Sequence, residues 1–315
     1  MFHCRSRIIA AFVAAVCIAC PARSQDKMKI ILDTDIGGDI DDAWALGFVI
    51  NYPHFEPLGV TIAHGFTPAR AKVALKLLHR TGRDDIPVAV GRQTDSVVRD
   101  QFAWAEDYAA TKPVNVPAAQ FLVDTVTKYP KQVTVVAVGP LENIADAIRL
   151  SPDFKNNIKQ LVLMSGCIHG RSNNRPPVAE WNVRASAKDA QVVYASGIPT
   201  RIVPLDSTTH VLLKNEERFA LRKHKSPLTQ SLELLYRLWM ARPDARMILH
   251  DQLAVAEAAC PGRFFGKREP LPLVVDDQGW TRIDKQHGKP ITVCFEPRRD
   301  AFMKFYLDVL TNEHN

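Results

Sequence analysis

Five aspartates fall between two apolar segments near the start of the chain. Residues 28–32 predict a short buried strand and residues 43–50 predict a helix, so the acidic segment 33–42 joins the two. Open α/β sheets place their ligand sites at such a junction. Carboxylates this dense repel one another, and a hard divalent cation such as calcium or magnesium would offset that repulsion. The alternative is a solvated turn in which Asp41 caps the following helix.

Strand-like and helix-like runs alternate over most of the chain. Strands are predicted at residues 28–32, 57–63, 86–90, 132–138, 158–164 and 200–205, with helices between most of them. An irregular stretch follows at 91–116, a helical region at 215–240 and a short β region near 271–275 and 291–295. This pattern predicts an α/β fold, a single-domain, open, doubly wound and mostly parallel sheet with the active site at the carboxyl ends of the strands. Without repeats or linkers, residues 25–315 form one catalytic domain.

Residues 1–24 have the features of a signal peptide. Arg5 and Arg7 precede an apolar stretch at 8–19, and Ala22-Arg23-Ser24 offers the small residues that a signal peptidase reads. The stretch is too short for an integral membrane span. Lipidation at Cys20 is a weaker alternative. A periplasmic or secreted protein is therefore predicted.

Charge and cysteine content exclude two further classes of protein. Residues 25–315 hold 37 basic and 34 acidic residues, a net charge of +3 without a dense basic run, so no nucleic-acid partner is predicted. Cys167, Cys260 and Cys294 have neither metal-ligand spacing nor an even count, which allows at most one disulfide. Assembly into a homo-oligomer stays open.

Three more segments are polar where a predicted strand ends or a helix begins. They are residues 138–143 (VGPLEN), residues 164–166 continuing to 174–182 (NRPPVAEWN), and residues 250–256 (HDQLAVA). Each has a structural explanation when taken alone: Gly139-Pro140 suits a turn and Asp251 suits a helix N-cap. Taken together with the acidic segment, they would converge at the carboxyl edge of one sheet.

The four segments, in this order, resemble the motifs of the inosine/uridine-preferring nucleoside hydrolase family over nearly all of the chain after residue 24. The family motif DTDPGxDDA is matched by residues 33–43, two residues longer and without the proline, which leaves Asp39 as a rival to Asp41. Relatives usually carry Gly-Asn after the second strand, where this chain has His64-Gly65-Phe66 and lacks the amide. Residues 92–115 lack the family's His-Gly signature.

The resemblance implies calcium-dependent hydrolysis of the N-glycosidic bond of ribonucleosides, releasing ribose and a nucleobase. The implied Ca²⁺ ligands are Asp35, Asp42, the backbone carbonyl of Val138, and Asp251. The implied ribose-binding residues are Asp41, Asn174, Glu180 and Asn182. Asp35 is also the implied general base for the attacking water, and His250 the implied general acid for the departing base.

These residue types suit the chemistry independently of the resemblance. Breaking an N-glycosidic bond builds positive charge on the sugar, which carboxylates stabilise, and negative charge on the base, which a proton donor offsets. Trp104, Tyr236 or Trp239 could stack on the base, although aromatic residues at helical spacing usually pack in the core. Two other functions stay open: a non-catalytic nucleoside- or sugar-binding protein on the same scaffold, and a magnesium-dependent phosphohydrolase of the haloacid-dehalogenase type.

Overall fold

The computed structural model describes residues 26–312. The predicted signal peptide at 1–24 and the alternative lipidation site Cys20 lie outside the described residues. Across 26–312, no helix has the length and apolar character needed to cross a membrane. Cys167, Cys260 and Cys294 are all free thiols, so packing rather than a disulfide among them stabilises this part of the chain.

Within the described residues, nine strands form one sheet in the order β3-β2-β1-β4-β5-β6-β9-β7-β8. The strands are β1 (Met28–Thr34), β2 (Phe55–Ile62), β3 (Val88–Val90), β4 (Thr134–Ala137), β5 (Gln160–Met164), β6 (Thr200–Val203), β7 (Phe265–Val275), β8 (Thr281–Ile283) and β9 (Lys289–Pro297). The first seven strands in this spatial order, which ends with β9, are parallel to one another. Strands β7 and β8 add an antiparallel edge next to β9. The predicted α/β, mostly parallel sheet is confirmed.

The helices that cover the sheet are α1 (Asp41–Asn51), α2 (Thr67–Arg80), α3 (Ala118–Lys128), α4 (Glu142–Leu150), α5 (Phe154–Asn157), α6 (Trp181–Ala185), α7 (Ala187–Ala195), α8 (Leu205–Thr208), α9 (Asn215–His224), α10 (Pro227–Met240), α11 (His250–Ala259) and α12 (Arg299–Thr311). The helical region predicted at 215–240 is split into α9 and α10. Lys225 adopts a left-handed φ of 57°, and the Ser226 hydroxyl accepts from the amide of Thr229 as the N-cap of α10.

The core lies on both faces of the sheet. Successive β1 side chains alternate between the faces: Ile30 and Leu32 belong to the cluster under α1, α2, α10, α11 and α12, whereas Ile31 belongs to the cluster under α3, α4 and α7. Helix α1 is buried on every side except at its last residue and packs against α11. Because both helices begin at the carboxyl edge of the sheet, their first residues are brought together there.

The order of the strands places the acidic segment at the point where the sheet changes direction. The chain runs outward from β1 through β2 to β3 and then returns to β4, which pairs with the other side of β1. A crevice forms at such a switch point, outside the carboxyl ends of the strands. The residues that follow β1 and β4 therefore line one cavity.

Candidate metal and active site

A cavity of about 360 Å³ opens at this switch point, within the range of small-molecule sites. The sequence-predicted residues that line it are Asp35, Asp41, Asp42, Val138, Glu180, Asn182, His250 and Asp251. Residues not singled out from the sequence also line it: Gly38, Arg70, Arg99, Met164, Leu205 and Arg242. The four sequence segments thus converge, as expected, with Asn174 as the exception.

Three buried carboxylates form the acidic centre of the cavity. Asp41, Asp42 and Asp251 each place one carboxylate oxygen within 4.8 Å of the others, and each side chain is buried. The pKa of all three carboxyl groups lies well above the usual value. Burial is the larger cause, and repulsion between neighbouring aspartates is the second. A divalent cation would relieve that repulsion, and a donor set made of oxygens fits a hard ion.

The first turns of α1 and α11 hold these carboxylates. Asp41 and Asp42 open α1, and Asp251 is the second residue of α11. The side-chain amide of Gln252 donates to the backbone carbonyl of Asp41 at 2.7 Å, and this hydrogen bond joins the starts of the two helices. The Thr34 hydroxyl at the end of β1 donates to Asp42. The helix N-termini and these hydrogen bonds compensate the negative charge only partly.

Asp35 lies beside the three carboxylates and is partly neutralised by a buried arginine. The Arg70 guanidinium lies 3.5 Å from the Asp35 carboxylate and donates to the carbonyl of Ile36 at 3.0 Å. Burial raises the pKa of Asp35, and the charge of Arg70 opposes the increase. Gly139 permits this packing, because a Cβ there would lie 2.8 Å from both the amide nitrogen and Oδ1 of Asp35. Gly139 therefore does more than form a turn.

Asn182 and Glu180 join the ends of β4 and β5. The Asn182 amide donates to the carbonyls of Val138 at 2.9 Å and Met164 at 3.0 Å, so the expected carbonyl ligand does lie at the cavity. Glu180 caps α6 by accepting from the backbone amides of Asn182 and Val183, and it also accepts from Gly166. Burial raises the pKa of Glu180 to about 7 against these hydrogen bonds.

His250 closes the cavity from the start of α11. Its Nδ1 lies 2.7 Å from the Thr208 hydroxyl at the end of α8. Burial lowers the pKa of the imidazole to about 4, so the ring is neutral at neutral pH. A neutral ring can still donate a hydrogen bond through its protonated nitrogen.

Asn174 lies away from the other predicted site residues. It is exposed, with a left-handed φ of 55°, and lines a separate cavity of about 730 Å³ beside His169 and Glu296. The amide of Arg171 donates to the carbonyl of Arg175 at 2.9 Å, which closes a tight turn around Asn174. Asn174 is not among the residues that line the 360 Å³ cavity, and its implied contact with a 5′-hydroxyl stays a prediction.

The aromatic candidates separate into one cavity residue and two packing residues. Trp239 lines the cavity, with the Arg242 guanidinium 4.3 Å from its ring centroid. Arg242 also forms an ion pair with Asp100 of the loop after β3. Tyr236 instead packs against Trp44 in the core, and Trp104 packs beneath the Lys76 ammonium. Trp181, half exposed, provides a second ring in the cavity wall.

Sequence reasoning missed Arg70 and the buried pair His64–Glu142. His64 Nδ1 lies 2.8 Å from Glu142 Oε1, and its ring meets the edge of Trp181 at 5.9 Å between centroids. Phe66 lines a different, small pocket instead. Arg70 had a readable signal, because it precedes Val73 and Ala74 by three and four residues on the apolar face of α2. His64 and Glu142 are far apart in sequence and gave no such signal.

The fold and site define the class: an α/β protein with a buried acidic cluster, suited to hold a metal ion, at the topological switch point. A sequence profile described as inosine-uridine preferring nucleoside hydrolase matches residues 30–304. The chain is 32% identical over 310 residues to the non-specific ribonucleoside hydrolase RihC of Klebsiella pneumoniae, covering 90% of this chain and 98% of that protein. It is 31% identical over 261 residues to the probable uridine nucleosidase 2 of Arabidopsis thaliana, covering 76% and 80%. The chain therefore belongs to the nucleoside hydrolase family.

Solved structures agree with this assignment. The plant nucleoside hydrolase PpNRh1 matches with a TM-score of 0.80 at 24% identity, covering 91% of this chain and 99% of that chain, which supports the fold. The purine-preferring ribonucleoside hydrolase from Gardnerella vaginalis matches with a TM-score of 0.77 at 25% identity, covering 90% and 98%. The resemblance inferred from the four segments is confirmed, and the haloacid-dehalogenase alternative is excluded.

Proposed function

We propose that this chain is a calcium-dependent N-ribohydrolase that cleaves ribonucleosides into ribose and a nucleobase. The observation that carries the proposal is the buried and only partly compensated trio Asp41, Asp42 and Asp251, which faces the same cavity as the imidazole of His250. Carboxylates stabilise positive charge on a sugar, and a hydrogen-bond donor stabilises negative charge on a leaving base. One cavity thus provides both kinds of stabilisation.

The residues that would hold calcium are Asp35, Asp42, Asp251 and the carbonyl of Val138. When bound, the ion supplies positive charge that neutralises the carboxylates and lowers the pKa of water. Asp41 shares the same buried space and is left to accept hydrogen bonds from the ribose hydroxyls. Asn182 is also positioned to meet them, because its amide already lies at the carbonyl of Val138.

The reaction needs one group to accept a proton and one to donate toward the base. Asp35 accepts a proton from the attacking water, and Arg70 holds the Asp35 carboxylate in place. The oxygen of that water forms a bond to C1′ of the ribose as the bond from C1′ to the base nitrogen breaks. The bonding electron pair leaves with the base, where His250 donates a hydrogen bond.

The base preference is open between purines and pyrimidines. Relatives carry names as different as pyrimidine-specific ribonucleoside hydrolase RihA, from a Shewanella species, and non-specific ribonucleoside hydrolase RihC. Trp239 and Trp181 line the cavity with indole rings, which can stack on a purine, a pyrimidine or the apolar face of the sugar. Incubation with a panel of purine and pyrimidine ribonucleosides, followed by chromatography of free base and ribose, tests the proposal. A protein that binds nucleosides without releasing a base would be the non-catalytic alternative.

The two aspartates Asp39 and Asp41 provide a comparison within one loop. Asp41 is buried in the acidic trio, whereas Asp39 is exposed on the cavity wall and its carboxylate accepts from the amide of Ile40 at 2.6 Å. We expect Asp39→Asn to keep most of the activity and Asp41→Asn to raise KM for ribonucleosides strongly, because Asp41 lies beside the expected ribose hydroxyls. Steady-state kinetics on both variants makes the comparison. The reverse order of effects would assign the ribose to Asp39.

Export is proposed from the amino-terminal residues. Cleavage after Ala22-Arg23-Ser24 predicts a mature chain that begins at Gln25 and is periplasmic or secreted. Mass spectrometry of the protein purified from its native cells measures the amino terminus directly. A lipidated amino terminus at Cys20 would contradict the prediction of an unanchored mature protein.

A further inference from the structure

The side chain of Thr208 is the partner of His250 on the side away from the cavity. Thr208 is the last residue of α8, which follows β6, and it is completely buried. Its Oγ1 lies 2.7 Å from Nδ1 of His250, the first residue of α11. This contact at Nδ1 restricts the orientation of the imidazole ring. It leaves Nε2 as the ring nitrogen available to a ligand in the cavity.

The direction of this hydrogen bond follows from the bonding needs of the hydroxyl. A threonine hydroxyl carries one hydrogen, and a buried donor without an acceptor costs free energy. Among residues 26–312, Nδ1 of His250 is the only hydrogen-bond partner of Thr208 Oγ1. The neighbouring Thr209 differs, since its hydroxyl donates to the carbonyl of Leu205 at 2.7 Å and accepts from the amide of Ser172 at 2.9 Å.

The backbone carbonyl one helical turn before Thr208 is already in use. The carbonyl of Pro204, one helical turn earlier, accepts from the backbone amides of Ser207 and Thr208. If Nδ1 of His250 carried a hydrogen, it would donate to Thr208 and leave the hydroxyl hydrogen unpaired in the core. With a bare Nδ1, the hydroxyl donates and every polar group of the contact is satisfied.

We propose that Thr208 is a positioning residue that donates its hydroxyl hydrogen to Nδ1 of His250 and thereby holds the imidazole in the tautomer with its hydrogen on Nε2. The catalytic part of this inference rests on the hydrolase function proposed above. The Nε2–H group then points its hydrogen toward an acceptor on the departing base, either a ring nitrogen or a carbonyl oxygen. A neutral imidazole acting as such a donor is an established catalytic role.

Nitrogen-15 NMR of the histidine side chains in the full, calcium-loaded protein tests the tautomer without reference to activity. The His250 signals are identified by their absence from the spectrum of His250→Gln. At neutral pH we expect Nδ1 to resonate as an unprotonated ring nitrogen and Nε2 as a protonated one, in both the wild type and Thr208→Ser. A protonated Nδ1 would overturn the proposal, whether or not the protein hydrolyses nucleosides.

Kinetics of the matched variants test the positioning role. Thr208→Val keeps the shape of the side chain but removes the hydroxyl, whereas Thr208→Ser keeps it. We expect Thr208→Val to lose about tenfold in kcat on a ribonucleoside, the scale of one hydrogen bond, and Thr208→Ser to stay close to the wild type. Nitrophenyl riboside, whose leaving group needs no donor, should be cleaved by Thr208→Val at nearly the wild-type rate.

The outcomes separate the possible errors. Equal losses of Thr208→Val on both substrates would mean that Thr208 only supports the fold, and would overturn the positioning role. Absence of hydrolysis by the wild type would contradict the proposed function, but the NMR result would still decide the direction of the hydrogen bond. If Thr208→Val fails to fold, the wild-type spectrum still decides the tautomer, and Thr208→Ala replaces Thr208→Val in the kinetic comparison of the two substrates.

Discussion

Replacing Asp42 or Asp251 by asparagine is expected to abolish calcium binding and lower kcat on the order of a thousandfold, because several kcal/mol of charge stabilisation in the transition state are lost. Both side chains are buried in the acidic trio and contribute no apolar surface to the core. Isothermal titration with calcium measures the binding, and ribose release measures the turnover. Asp39→Asn, in the same loop but exposed, is the matched control.

The same two variants are expected to change the Tm in the direction opposite to that of an ordinary core substitution, which lowers it. Since burial and mutual repulsion raise the pKa values of Asp42 and Asp251, the carboxylates oppose folding when no cation is bound. We therefore expect Asp42→Asn and Asp251→Asn to have a Tm in chelator at least as high as that of the wild type. Added calcium should raise the Tm of the wild type and leave that of the variants unchanged. Full metal occupancy in either variant would exclude that residue as a ligand.

His250→Ala is expected to lose on the order of a hundredfold or more in kcat on inosine or uridine, the usual scale of assistance from a positioned proton or hydrogen-bond donor. The loss should be far smaller on nitrophenyl riboside, because that leaving group departs without a donor. Parallel kinetics on the two substrates give the comparison. Equal losses would mean that His250 supports the geometry of Asp251, the next residue, rather than the leaving base.

The sheet and the acidic centre were predictable because both depend on local sequence. The apolar strand before residue 33 and the apolar helix after residue 42 fix where the carboxylates emerge, whatever the rest of the chain does. The motif His250-Asp251 begins a helix in the same way. Strands that alternate with helices then bring these ends to one edge of a parallel sheet.

The parts of the site that were not predictable depend on contacts between distant residues. The position of Asn174 depends on the turn closed by Arg171 and Arg175, which its motif does not specify. The pairing of Thr208 with His250 joins two helix ends that meet only in the folded chain. Asp35 was assigned from its motif alone, but its neutralisation by Arg70 comes from a different helix.

The inserted segment of the acidic loop shows how neighbouring structure accommodates a departure from the family motif. Gly38 and Asp39 present backbone carbonyls to the buried amide of Gln101, which follows β3 in a 3-10 helix at Asp100–Trp104. The sequence-based interpretation described the stretch 91–116 only as irregular. Its Gln101 holds the backbone of this loop, and Asp41 and Asp42 lie directly after it at the start of α1.

Turnover of the metal-stripped protein during titration with calcium tests the central claim most directly. The protein is treated with chelator, transferred to metal-free buffer, and assayed for release of ribose from a ribonucleoside as calcium is added, with bound calcium measured in parallel. We expect no release without metal and full release when one calcium ion is bound per chain. Undiminished ribose release by the metal-free protein, or no release at full calcium occupancy, would contradict the proposed function.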